Sequence, residues 1–388
     1  MEYKKLNELC EINIGKTPSR NKSEYWGEGS SWLSISDLKD KFITKTKEEI
    51  TSMAISACNM KIVPKDTVVM SFKLSIGKTA ILKEDMYTNE AIANFPIKNN
   101  SLIPEYLYYA IKTLNFDNTD RAVMGATLNK AKLNELRIPY CEINKQKEIV
   151  EVLNKSQELI DKRKKQIEEL DELVKSQFIE MFGDPVSNPK GWDVVKLGKI
   201  SSVGSSKRVF VDELVSEGIP FYRGTEIGAL STGEKIEPTL FITKEHYEKL
   251  KDSTGVPVIG DLLMPSICPD GRIWSVDTEK PFYFKDGRVL WIHLENSIID
   301  SIFLKHMLRE KFNRDYNKIA SGTTFAELKI FALKDLDIIM PPIEIQKKYS
   351  DFVKQVDKLK FEMEKSLKEL EDNFNSLMQK AFKGELFN

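Results

Sequence analysis

Three stretches carry residue types whose spacing could do chemistry. Met340-Pro341-Pro342-Ile343 is the nearest approach to the Asn/Asp-Pro-Pro-aromatic loop with which an amino methyltransferase holds a flipped base, but both the polar first residue and the stacking aromatic are missing. The prolines read instead as a helix boundary, because the residue before a proline is pushed out of the helical region. Pro269-Asp270 with Glu279-Lys280 is a fragment of what a Mg²⁺-dependent nuclease needs, carboxylates for the ion and a lysine beside the attacking water. Thr278 stands two residues before Lys280, so the acid-x-Lys element fails and a surface loop is expected. Ile76-Gly77-Lys78-Thr79 matches only the end of the phosphate-cradling loop of ATPases, since Phe72 occupies the place of its first glycine. Cys10, Cys58, Cys141 and Cys268 form no C-x-x-C pair, and His246, His293 and His306 are the only histidines, so neither a metal centre nor a disulfide framework is expected. No catalytic residue, metal ligand or cofactor is assigned.

Other residues suit binding rather than bond-making. Lys16, Thr17, Ser19, Arg20, Asn21 and Lys22 form a polar, basic loop followed by Tyr25 and Trp26, with side chains matched to phosphates and base edges. Lys73, Ser75 and Lys78 are similar, as is Arg121 in a turn-rich stretch. In the second half of the chain Ser205, Ser206, Lys207 and Arg208 form the matching loop, joined by Arg223, Arg272 and Arg288. An arginine fork fits guanine bidentately. A solvated loop with its aromatics tucked into the core, and arginines merely spread over the surface, would account for the same residues. The net charge of −1 leaves nucleic acid open, because basic residues can gather on one face while acids crowd elsewhere.

The elements that must position these residues are dominated by two long helices. Leu153, Ser156, Ile160, Arg163, Ile167, Leu170, Val174, Gln177 and Met181 alternate at three and four residues, the seam of a helix packing lengthwise on another. The seam recurs 200 residues later (353 − 153) at Val353, Val356, Lys360, Met363, Leu367, Leu370, Phe374, Leu377 and Ala381. Arg163 and Lys360 on the seam either set register or snorkel to solvent. Gly183-Asp184-Pro185 stops the first helix and Pro341-Pro342 precedes the second. The repeat extends upstream: Leu133, Leu136, Ile138, Ile143, Gln146 and Lys147 answer Leu333, Leu336, Ile338, Ile343, Gln346 and Lys347. Strand-like runs at 32–35, 67–70, 79–82, 256–259, 261–264 and 289–292, with helix-like runs at 105–114 and 298–312, make each globular segment α+β. The chain reads as a tandem duplication of domain plus long helix: domains at 1–140 and 185–340, helices at 141–184 and 341–388.

At this point the chain resembles the specificity subunits of type I restriction-modification systems. Gly15-Lys16-Thr17-Pro18-Ser19, Tyr25-Trp26-Gly27 and Trp32-Leu33-Ser34-Ile35-Ser36-Asp37-Leu38 look like the opening of that family's target recognition domain. Ser75 to Ile81, Thr88 to Ile92 and Leu128-Asn129-Lys130 follow in the family's order, and Leu136-Arg137-Ile138-Pro139 before Gln146-Lys147-Glu148-Ile149-Val150 is similar to the approach to its first helix. Lys145 and Ile345 stand where an acid usually precedes the glutamine, and the second domain departs further from the pattern.

The resemblance implies a non-catalytic reader of double-stranded DNA, with two target recognition domains each reading half of a bipartite site. The long helices would separate the domains and dock modification (methyltransferase) subunits, and through them restriction (motor-nuclease) subunits. Geometry adds an independent expectation. A helix of about 37 residues is about 55 Å long, and a domain whose termini lie near each other returns the chain beside the point where it left. The second helix should then run back along the first as an intramolecular antiparallel coiled coil, a ruler between domains that enter major grooves about 34 Å apart. A coiled-coil scaffold whose globular domains bind proteins is the alternative. No run of about 18 apolar residues and no secretory leader is present, so a cytoplasmic protein without a membrane span is expected.

Overall fold

The computed structural model describes the chain apart from residues 74, 115, 117–119, 123–124, 296–297, 323–325 and 387–388, and gives the backbone alone for 120–122 and 125–127. Contacts divide it into two units, Met1–Lys164 with Lys365–Asn388, and Lys165–Glu364. The first long helix spans Ile143–Phe182 and the second Ile343–Lys383, so each unit holds part of both.

In the first unit five strands lie in the order Asn13–Ile14, Ile92–Phe95, Val68–Ser71, Thr79–Leu82 and Phe42–Ile43. The three inner strands are buried at every residue because both faces of the sheet are covered. Alternation sorts their side chains. Val68, Met70 and Ile81 pack with Tyr106, Leu107 and Ile111 of helix Pro104–Lys112, whereas Val69, Ala80 and Leu82 pack with Leu33, Leu38 and Ile43. A three-stranded sheet places Trp26–Leu33 between Glu48–Ile50 and Tyr87–Thr88.

The second unit repeats this plan with different residues. Ser202–Gly204, Val289–His293, Leu262–Pro265 and Trp274–Ser275 take the order of the first four strands above, and Ile219–Tyr222 lies between Phe241–Ile242 and Tyr283–Phe284. In both small sheets the last pairing is parallel. Helix Ser301–Ile319 covers the main sheet, burying Phe303, Leu304, Met307, Leu308 and Phe312.

Each unit also ties its first strand to the strand before its long helix: Glu2–Lys5 pairs with Arg137–Tyr140, and Val194–Lys196 with Asp337–Ile339. Leu6 then donates its N–H to Leu136 O at 2.7 Å and Leu197 to Leu336 O at 2.9 Å.

Every residue of both expected helix seams is buried or half-buried. In the first unit Lys164 pairs with Glu371 at 2.9 Å, and Ile149, Val150 and Leu153 share a cluster with Ala381 and Phe382. In the second, the Lys360 ammonium sits 2.7 Å from both oxygens of Asp171, and Tyr349 donates its hydroxyl to Val174 O at 3.3 Å. Lys360 therefore reaches a specific carboxylate rather than open solvent. Gly183, at φ +78°, ends the first helix, and the indole of Trp192 donates to Phe182 O at 2.9 Å.

One expected strand is absent. Val256 to Ile259 is irregular because Pro257 has no N–H to give a ladder and Asp261 holds a turn, its carboxylate accepting from Val258 N at 3.0 Å. The helix expected at 298–312 starts at Ser301, after its cap Asp300, and runs further, to Ile319. Among the described residues, no helix is long and apolar enough to cross a membrane.

Candidate nucleic-acid interface

In each unit the candidate residues gather around one turn. In the first it is the turn between Tyr87–Thr88 and Ile92–Phe95. Gly15 N donates to Ile92 O at 3.3 Å, Lys16 N to Thr88 O at 2.9 Å, and Phe72 N to Ala91 O at 3.0 Å. The Lys16 to Lys22 loop and the Lys73 to Lys78 loop thus flank the same turn. A Cβ on Gly15 would lie 2.1 Å from Thr88 O, so only glycine permits this approach. Leu128 N donates to Phe72 O at 3.0 Å, which brings hairpin Asp120–Ala122 with Gly125–Thr127 to the same place. The Arg121 side chain lies outside the described residues.

In the second unit the turn between Tyr283–Phe284 and Val289–His293 is held in the same way. Ser206 Oγ donates to Phe284 O and Ser205 Oγ to Val289 O, each at 2.6 Å. Ser266 N donates to Arg288 O at 2.9 Å and Leu328 N to Ser266 O at 2.7 Å. Arg223 joins the turn, since Lys285 N donates to Tyr222 O at 2.8 Å. Arg272 packs against helix Gly224–Ser231, where a Cβ on Gly228 would meet its Nη1 at 3.1 Å.

Several candidates are committed to the fold. The Lys16 ammonium donates to Cys58 O at 3.0 Å and Asn59 O at 3.1 Å, at the end of helix Ser52–Ala57. Tyr25 is buried with Trp32, Ile50 and Ala54, so its ring is not free to stack on a base; the tucked-in aromatic is what forms there. Lys22 donates to the Tyr25 hydroxyl at 3.0 Å. Ser75 offers its carbonyl to Ser71 Oγ, and Ser206 spends its hydroxyl on Phe284. Lys73 lies 5.6 Å from the Phe72 ring. Ser19 is exposed, its carbonyl accepting from the Trp26 indole at 3.2 Å.

Each described candidate arginine meets a carboxylate. Arg20 forks onto both oxygens of Glu48 and stacks 3.7 Å from the Trp26 ring centroid, and the hydrogen bonds it donates to Glu48 raise its guanidinium above the usual range. Arg223 grips Glu226 through Nε at 3.1 Å and Nη2 at 2.5 Å. Burial of Glu226 opposes its ionisation, yet the bonds from the Arg223 side chain and N–H and from Thr225 outweigh it and hold the carboxyl at about 2. Arg272 reaches Asp270, 2.8 Å from Nε, and Arg288 is 3.8 Å from Glu327. Arg208 donates to Asp286 through Nε at 3.0 Å, its two Nη groups make no hydrogen bond among the described residues, and its side chain is 66% exposed.

That difference decides what each guanidinium can do. Arg20 and Arg223 must release a carboxylate before gripping another group. Arg208 is oriented by Asp286 with its bidentate edge still open, the arrangement that suits guanine O6 and N7 or a phosphate. Thr17, Asn21, Lys78 and Lys207 make no side-chain hydrogen bond among the described residues, and the last three are exposed.

The partners Glu48 and Asp286 were not legible in the sequence, lying 28 and 78 residues from their arginines (48 − 20; 286 − 208). Glu226, three residues after Arg223, and Asp270, two before Arg272, could have been read from spacing. Phe210 and Val211, two and three residues after Arg208 and exposed by 57% and 81%, were also missed; the apolar run Val209-Phe210-Val211 following Lys-Arg in a polar loop was the available signal.

The model of the type I restriction modification DNA specificity domain matches residues 1–172 and again 189–372. The MjaIX specificity subunit of a type I restriction enzyme from Methanocaldococcus jannaschii is 28% identical, over 99% of this chain and 93% of that one. Among solved structures, a chain of a type I R-M system described for its complex assembly and conformational transition superposes with a TM-score of 0.64 at 16% identity, over 99% of this chain and 98% of that one. The type I restriction-modification S subunit from M. genitalium does so at 0.51 and 15% identity, over 98% and 96%. These two share the fold. With the specificity-domain model matched twice, this duplicated chain belongs to the type I restriction-modification DNA specificity family, the non-catalytic component of such systems.

Proposed function

We propose that the chain is the sequence-reading subunit of a type I restriction-modification complex in the cytoplasm, each unit reading one half of a bipartite duplex site. The observation that carries this is the repeated face. The same turn, in the same sheet order, is flanked in one unit by Lys16 to Lys22 and in the other by Ser205 to Val211. A shared scaffold with unlike side chains is what reading two unrelated half-sites requires, because phosphate contacts position a reader while base-edge contacts specify the sequence. The long helices, paired as an antiparallel coiled coil, set the gap between half-sites and dock the modification subunits, with restriction subunits joining through them. Within the second unit, Asp171 with Lys360 and Val174 with Tyr349 support that direction of pairing: the residue number rises on one helix as it falls on the other.

The test is a gel shift with the modification subunits present, followed by mapping of methylated adenines in DNA exposed to the assembly. A preferred bipartite sequence is expected, with affinity falling steeply as salt rises. Absence of preference over random DNA, or binding indifferent to salt, rejects the proposal and favours a protein-binding scaffold.

A further inference from the structure

We propose that Phe210 and Val211 form a methyl-reading tip that contacts the C5-methyl group of a thymine in the major groove of the half-site read by the second unit. This rests on the DNA-reading function above and names the base chemistry that one unit recognises.

Both side chains stand out of a loop that is otherwise fixed. Val209 beside them is buried with Phe221, Ile242, Tyr247 and Tyr283. The 3₁₀ turn Val211–Glu213 is closed by Phe210 N donating to Glu213 Oε2 at 2.7 Å and by Leu214 N donating to Val211 O at 3.2 Å. A tip held in place loses little freedom when it makes a contact. Phe210 and Val211 line one surface depression with Arg208, Lys285, Asp286 and Arg288. Three cations and one carboxylate around an apolar tip fit a polyanion that offers an apolar group. On the major-groove edge of duplex DNA that group is the thymine methyl.

The first unit lacks such a tip. Its corresponding turn, Ser23–Tyr25, follows Asn21-Lys22 and buries its aromatic ring. The effect should therefore be confined to one half-site.

The experiment uses the full chain assembled with its modification subunits and DNA in which single thymines are replaced by deoxyuridine, which removes only the methyl. For at least one thymine in one half-site, the wild-type assembly should lose about fivefold in affinity, a discrimination near the lower end of that for one base contact. The Phe210→Ala/Val211→Ala variant should bind thymine and deoxyuridine DNA equally while keeping its sequence preference at the other half-site. The deoxyuridine comparison on wild-type protein needs no variant, so a folding defect cannot imitate it. Unchanged wild-type affinity at every replaced thymine in an assembly that still prefers its site overturns the inference alone. Loss of all preference in the random-DNA control overturns the DNA-reading function and the inference with it.

Discussion

Gln146 and Gln346 stand 200 residues apart (346 − 146), are both fully buried, and make the same hydrogen bonds. Gln146 accepts from Ile103 N at 3.0 Å and donates to Cys141 O at 2.8 Å and Ser101 O at 2.9 Å. Gln346 accepts from Asp300 N at 2.9 Å and donates to Pro341 O at 2.7 Å and Ile298 O at 3.5 Å. Ile103 and Asp300 cap the domain helices Pro104–Lys112 and Ser301–Ile319, so each glutamine fastens the start of a long helix to the start of a domain helix. A side-chain amide supplies two N–H donors and a carbonyl acceptor on one planar group, which matches the two bonds given and the one accepted at each site.

Replacing either glutamine with leucine strands a buried N–H and buried carbonyls. Gln146→Leu and Gln346→Leu should each destabilise the protein by about 2–3 kcal/mol, read as a lower urea midpoint with an unchanged slope. A loss below about 0.5 kcal/mol at both sites would show that the fastening is dispensable.

Glu226 makes the stability of the second unit depend on acid. Its folded carboxyl titrates at about 2, below the ordinary 4.5, so the stabilisation is complete above about pH 5 and disappears as pH falls toward 2. The contribution at neutral pH is at most about 3 kcal/mol. Melting temperatures of wild type should fall more steeply from pH 5 to pH 2.5 than those of Glu226→Gln, which should already be less stable at pH 7. Parallel curves would remove Glu226 from the account.

Arg208 and Lys78 should fail in different ways. Arg208→Ala should cost about 1–3 kcal/mol on the preferred site and relax specificity at one base pair. Lys78→Ala should weaken all DNA alike and reduce the salt slope by about one. Affinities on matched and mismatched duplexes over a salt series separate the two, and a uniform loss from Arg208→Ala would make it a phosphate contact.

The helices should act as a ruler. Deleting Lys165 to Asp171 and Lys360 to Ser366 removes one heptad from each, with both partners of the Lys360–Asp171 pair and neither of the Lys164–Glu371 pair. At 1.5 Å per residue each helix shortens by about 10 Å, about three base pairs of duplex. Methylation mapping should show the preferred gap reduced accordingly, and an unchanged gap would refute the spacing role.

The sequence by itself determined the elements governed by residues close along the chain. The seams from Leu153 to Met181 and from Val353 to Ala381, the stops at Gly183 and Pro341-Pro342, and the recurrence of Gln146 at Gln346 were legible, because helix periodicity and backbone restriction act within a few residues. The duplication followed because the recurrence survives wherever loops keep one length. Tertiary structure alone decided which residues are free at the interface. Tyr25 and Ser206 look available in sequence and are spent on the fold, whereas Arg208 keeps its outer edge because Asp286, 78 residues away (286 − 208), holds only its Nε. It also decided that two domains with few residues in common share one sheet order. Strand pairing joins backbones, which are the same in every sequence, so the order of Val68–Ser71 among its neighbours can recur at Leu262–Pro265 while the side chains around the two turns diverge.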